Sequence, residues 1–188
     1  MNDHDQRQVG SNCHDKTRAN DHPPTGWRAG DNNKNNKNKD KGKDKVKVGW
    51  VLKISLETIE EIKNEAARAY PYECCGALIG VLDGDVRDVK EILPIGNERK
   101  GEAQRRRFLI TAEELAKVEI KIAKKGLDIL GFYHSHPDHP SRPSKYDEDF
   151  ALPFYSYAII SVEKGKPTEL TSWVLDENRI FISEELRS

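Results

Sequence analysis

The sequence predicts an α/β domain built on a mixed β-sheet and preceded by a disordered polar tail. Residues 1–48 are crowded with Asn, Asp, Lys and Gly and hold few apolar residues. From Trp50 onward, short apolar runs alternate with two stretches whose apolar residues recur at helical spacing. Turn signals separate most of the short runs, so hairpins join most of the strands and the two helices pack on the resulting sheet.

The tail is a unit by itself. Its stretch from Asn32 to Lys45 is repetitive and buries too little apolar surface to offset the entropy of ordering it. It carries 11 Lys and Arg against 7 Asp and Glu, but the interleaved aspartates dilute that charge, which favours a solvated segment over an RNA-binding one. His4, Cys13, His14 and His22 lack paired ligand spacing. Met1 is the only methionine, so residues 1–48 also fit an over-extended reading frame. Residues 49–188 hold 20 basic and 25 acidic residues, and an acidic body argues against nucleic-acid binding. The three cysteines do not form a disulfide framework, and neither a signal peptide nor an apolar run of membrane-spanning length is present. A cytoplasmic protein is the expectation.

The elements follow in order. Trp50 to Ile54 reads as a strand. Ser55 then caps a helix from Leu56 to about Tyr70, with Ile59, Ile62, Ala66 and Ala69 on one face and Pro71 ending it. Glu73 to Leu82 is an apolar strand, Asp83-Gly84 a hairpin turn, and Val86 to Ile92 the returning strand. Arg105 to Ile110 reads as another strand. Thr111-Ala112-Glu113-Glu114 is a capping box for a helix reaching Lys125, with a core stripe of Leu115, Val118, Ile122 and Ala123 and a stop at Gly126. Leu127 to Tyr133 is a buried strand that runs into the histidines. Strands near Tyr157–Val162, Glu169–Leu175 and Arg179–Ile182 complete the chain.

The chemistry lies in the stretch from Gly131 to Asp147. Strand side chains alternate faces, so His134 and His136 point the same way and can share one ion. Pro137, Pro140 and Pro143 then force an extended loop, and Ser144 stands three residues before Asp147. Two imidazoles and a carboxylate are the protein ligands of an open zinc site. Ser144-x-x-Asp147 equally fits a helix-capping box. Glu73 by itself reads as an exposed strand-end glutamate. His139 is expected to face solvent, Cys74 and Cys75 to be small packing residues, and Arg105 to Arg107 to be a solvated edge or a patch that steers an acidic substrate.

His-x-His, seven residues, then Ser-x-x-Asp, together with Glu73-Cys74-Cys75-Gly76, resembles the JAMM (MPN-plus) metalloprotease family, in its short prokaryotic single-domain form, over about Val51 to Leu186. The resemblance implies a curved sheet flanked by helices with one catalytic Zn²⁺ at its end. It implies His134, His136 and Asp147 as ligands, Glu73 as general base and acid, and Ser144 as donor to the oxyanion. It further implies hydrolysis of a peptide or isopeptide amide by zinc-activated water. The expected substrate is a ubiquitin-like or sulfur-carrier protein ending in Gly-Gly, with no membrane partner. The alternative is a non-catalytic MPN-type scaffold. The His-x-Glu of zinc deaminases and the His-Glu-x-x-His of helical zincins are absent.

Overall fold

The computed structural model describes residues 49–188; the tail expected to be disordered, residues 1–48, lies outside them. A short strand β1 (Val51–Lys53) leads into helix α1 (Leu56–Ala69). Ser55 caps α1 as expected, its hydroxyl accepting from the Thr58 amide at 3.1 Å. A cap of this kind contributes about 1 kcal/mol. Ile62 and Ala66 are buried, with Ile59 and Ala69 packed alongside.

Strands β2 (Cys75–Asp83) and β3 (Val86–Ile95) form the expected hairpin. Its two-residue loop is Gly84-Asp85, one position later than the sequence suggests, because Asp83 still pairs with Val86 and Gly84 takes the left-handed backbone at φ 58°. The expected strand at 105–110 does not form. A 3₁₀ turn covers Gly101–Arg105, and the chain beyond it is fastened by a side chain, Asn97, instead of a strand ladder.

Helix α2 (Ala112–Ala123) is capped by Thr111, whose hydroxyl accepts from the Glu114 amide at 3.2 Å. Glu114 turns its own carboxylate to Lys117 at 2.6 Å, away from the cap. Val118 and Ile122 are buried, whereas Ala123, expected in the core stripe, is exposed at the helix end. Strand β4 (Asp128–Pro137), helix α3 (Lys145–Phe150), and strands β5 (Ser156–Glu163), β6 (Lys166–Leu175) and β7 (Phe181–Arg187) follow.

The strand order is β1-β3-β2-β4-β5-β6-β7, and β1 pairs in parallel with both β3 and β7, so the mixed, curved sheet closes into a barrel. Among the described residues the only other parallel pair is β4 with β5. One sheet face packs Leu52, Leu78 and Ile160 against α1, and the other packs Ala77, Phe132 and Tyr157 against α2. A buried polar knot ties four strands together. Arg87 of β3 donates to Glu184 of β7 at 2.9 Å, and Glu184 also accepts from Ser156 of β5 at 3.0 Å and Ser172 of β6 at 2.5 Å. Among the described residues no helix is long and apolar enough to cross a membrane.

Candidate metal centre

Strand β4 lies between β2 and β5, paired on both sides up to the histidines. Phe132 faces α2, so the period-2 alternation sends His134 and His136 to that same face and Ser135 to the other. His134 is fully buried and His136 nearly so. Their Nε2 atoms stand 3.0 Å apart. Asp147, in the first turn of α3, brings Oδ1 to 3.4 Å from His134 Nε2 and Oδ2 to 3.6 Å from His136 Nε2. Ligands at the corners of a zinc tetrahedron stand about 3.3–3.6 Å apart, given bonds of about 2.0–2.2 Å. The Asp147 distances match that spacing, the histidine pair is somewhat tighter, and the donor set is the one that the ion implied by the sequence requires.

The surroundings fix these donors. His136 Nδ1 lies 2.8 Å from the Pro140 carbonyl, and donation there leaves Nε2 with its lone pair inward. His134 Nδ1 is buried without a hydrogen-bond partner, and its ring is held by packing against Phe108, with centroids 4.7 Å apart. Burial pushes the His134 pKa below its ordinary value, which keeps the ring in the neutral form a ligand needs.

Asp147 serves two purposes at once. Ser144 caps α3, its hydroxyl accepting from the Asp147 amide at 3.2 Å, while the Ser144 amide and hydroxyl each donate to Asp147 Oδ2 at 2.6 Å. The capping box therefore forms, and it leaves Oδ1 turned towards His134. Burial alone would raise the carboxyl pKa, but His134, His136 and the Ser144 donors outweigh it and hold the group well below the usual carboxylate range.

Glu73 precedes β2 and is not part of the strand. Cys75 pairs with His134, and Ser135 donates its amide to Cys74 O at 3.1 Å, so the chain enters β2 alongside the histidine strand, with Glu73 just before Cys74. Glu73 is only 5% exposed, unlike the free strand-end glutamate its sequence position suggests. Burial first, and the Asp147 charge second, push its pKa up to about 9. A cation held by His134, His136 and Asp147 would oppose both effects.

Sequence reasoning missed three supporting groups. Asn97 lies in a stretch without secondary-structure periodicity, and Phe108 in an expected strand that does not form. Ser135 was visible only as the residue between the histidines, yet its buried hydroxyl accepts from the Cys74 amide at 2.9 Å. Cys74 enters the α1 core, and the Cys75 thiol points at Ile95 O, 3.5 Å away, so neither cysteine joins the cluster. His139 is exposed, as expected. Arg105 lies over the Tyr72 ring at 5.8 Å and Arg107 over the Tyr146 ring at 4.8 Å, which puts the arginine run beside the site.

Fold and cluster together define a JAB/MPN-type domain whose His–His–Asp group can bind a metal ion. Residues 55–176 match the family described as prokaryotic homologs of the JAB domain, and the chain belongs to that family. It is similar to a desampylase of Haloferax volcanii, 34% identical over 122 residues, spanning 64% of this chain and 84% of the relative. A probable TtuB-protein conjugate cleaving protease of Thermus thermophilus is 29% identical over 99 residues, or 53% of this chain and 62% of the relative. Two solution structures share the fold. A Desulfitobacterium hafniense protein has a TM-score of 0.64 and 33% identity, covering 72% of this chain and 90% of that one. A Salinibacter ruber protein has a TM-score of 0.56 and 36% identity, covering 71% and 90%.

Proposed function

We propose that this JAB-domain protein is a zinc-dependent isopeptidase that cleaves the amide following the Gly-Gly tail of a ubiquitin-like or sulfur-carrier protein. One observation carries the reading: a buried glutamate, Glu73, feels the charge of Asp147, a member of the His134–His136–Asp147 cluster able to hold a metal ion. The names of the two curated relatives, a desampylase and a conjugate-cleaving protease, support a protein conjugate as substrate.

His134, His136 and Asp147 would hold the ion. When bound, zinc supplies Lewis acidity, making water nucleophilic near neutral pH and polarising a carbonyl. Glu73 accepts the proton released as water adds to the scissile carbonyl. It returns that proton to the amine as the C–N bond breaks, so no covalent enzyme intermediate is needed. The Ser144 hydroxyl, at the exposed N-terminus of α3, turns its one proton from Asp147 Oδ2 to the oxygen where negative charge develops, while the Ser144 amide keeps its bond to Oδ2. Glycines next to the scissile bond present no side chains that a narrow cleft must exclude. The arginine run beside Tyr72 and Tyr146 draws an acidic substrate protein towards the site.

The test measures zinc per chain and cleavage of a sulfur-carrier protein extended beyond Gly-Gly or amide-linked to a reporter. Glu73→Gln and His134→Ala run alongside. The expected result is about one zinc per chain, retained in Glu73→Gln and lost in His134→Ala. Cleavage should fall by at least about 100-fold in both variants. A chain that takes up no zinc, or a Glu73→Gln variant that still cleaves, would sink the reading and leave the scaffold as the better account.

A further inference from the structure

Both backbone polar groups of Glu73 end on one segment outside the sheet. Its amide donates to Gln104 O at 2.8 Å, and its carbonyl accepts from Asn97 Nδ2 at 3.2 Å. Asn97 is fully engaged elsewhere as well. Nδ2 also donates to Arg107 O at 3.1 Å, and Oδ1 accepts from the amides of Arg99 at 3.0 Å and Leu109 at 3.2 Å. The Arg107 carbonyl and the Leu109 amide flank Phe108, the residue whose ring packs on His134. A single amide side chain thus grips the main chain of Glu73 and brackets the ring that supports a metal ligand.

We propose that Asn97 is a positioning residue that sets Glu73 and Phe108 relative to each other across the site. This rests on the reading of Glu73 as proton acceptor. The reason for an asparagine is chemical. The position needs two N–H donors for two carbonyls and one oxygen for two amides, at the end of a short side chain. Aspartate supplies the acceptor half alone. No strand ladder holds residues 105–110, where the Glu98 amide donates to Leu109 O at 3.2 Å, so losing the clasp loosens the segment against the Glu73 peptide without unfolding the barrel. Misplacing a catalytic group by about 1 Å is enough to cost about 100-fold in rate.

The experiment uses the full chain, zinc-loaded for kinetics and metal-free for amide hydrogen exchange followed by NMR. Asn97→Ala, Asn97→Asp and Glu73→Gln are compared with the unaltered protein on the same extended sulfur-carrier substrate. Both Asn97 variants should keep their zinc and a KM within about twofold, while kcat falls about ten- to a hundredfold. The Glu73 amide should exchange faster in both. The Leu109 amide should stay protected in Asn97→Asp, which retains its acceptor, and lose protection in Asn97→Ala. Asn97→Asp with unchanged kcat would overturn the proposal, because the Asn97 bond to Glu73 O would then be without consequence. An effect confined to KM, or loss of zinc in Asn97→Asp, would also overturn it. If Glu73→Gln itself remains active, the proton-acceptor reading fails and the positioning role falls with it. An inactive Glu73→Gln beside fully active Asn97 variants refutes the positioning role alone.

Discussion

Burial and the Asp147 carboxylate raise the Glu73 pKa to about 9, so the metal-free chain holds this acid protonated at neutral pH. Between the ordinary value of 4.5 and that raised value, the folded chain binds a proton that the unfolded chain has released. The stability this contributes is fully present below the unfolded pKa and is lost as pH rises through the folded one. The metal-free protein should therefore show a Tm that falls across this window, and Glu73→Gln, which cannot titrate, should lack that part of the slope. Parallel slopes in thermal melts between about pH 5 and 9 would show that Glu73 is not buried in this way. The residues of the site differ in how far the sequence exposes them. His134 and His136 are legible because their relation is local, two positions apart on one strand, and Ser144 with Asp147 because theirs is one helical turn. Glu73 needs the register of β2 on β4 before it meets them, and the family pattern stands in for that register. Asn97 has no such help: its four bonds reach residues 2 to 24 positions away in irregular chain.

At the scale of elements, β4 reaches the site only because its neighbours lie very close. A Cβ built on Gly131 would come within 2.1 Å of Ser156 O and 2.8 Å of Ser156 N, both backbone atoms of the paired strand β5 that cannot turn aside. Gly131→Ala should force β4 and β5 apart at the root of the His134–His136 strand. The expected loss is about 1–3 kcal/mol, in the range of other overpacked interiors, read as a lower urea midpoint at unchanged slope. Zinc affinity should fall with it, since His134 and His136 lie three and five residues beyond the glycine. An unchanged midpoint would mean the pair of strands has more room than these distances allow. The two main helices, the first hairpin, β5 and β6 follow from local signals, caps, turn residues and period, whereas β7, expected at Arg179–Ile182, runs from Phe181 to Arg187. The segment at 105–110 fails because Phe108, Leu109 and Ile110 carry the apolar pattern of a strand while the contacts made there are to the Asn97 side chain, the Glu98 amide and the His134 ring, not to a neighbouring strand. Closure of the barrel is equally hidden. It depends on β1, three residues long, meeting both β3 and β7, and nothing local in Val51–Lys53 specifies two parallel partners.

Across the whole molecule, charge is unevenly placed. Residues 49–188 carry 20 basic and 25 acidic side chains, yet the short stretch 98–107 holds Arg99, Lys100, Arg105, Arg106 and Arg107 against Glu98 and Glu102. Phe108 and Tyr146 connect that stretch to the metal cluster, so the basic patch borders the site on a body of opposite sign. A field of this kind acts on encounter rates and is screened over about 10 Å at 0.1 M salt. An acidic protein conjugate should feel it, whereas a short neutral peptide amide should not. For the conjugate, kcat/KM should fall several-fold between about 50 and 500 mM salt through slower association, with kcat itself little changed. Arg106 is the cleanest residue to change, being exposed and outside the two ring contacts that fix Arg105 and Arg107. Arg106→Glu should lower kcat/KM for the conjugate at low salt, flatten its salt dependence and leave peptide-amide cleavage and zinc content unchanged. Equal salt responses for conjugate and peptide would place substrate recognition elsewhere, leaving the patch as a solvated edge. A conjugate-specific response that Arg106→Glu removes would tie the arginine run to capture of the protein substrate.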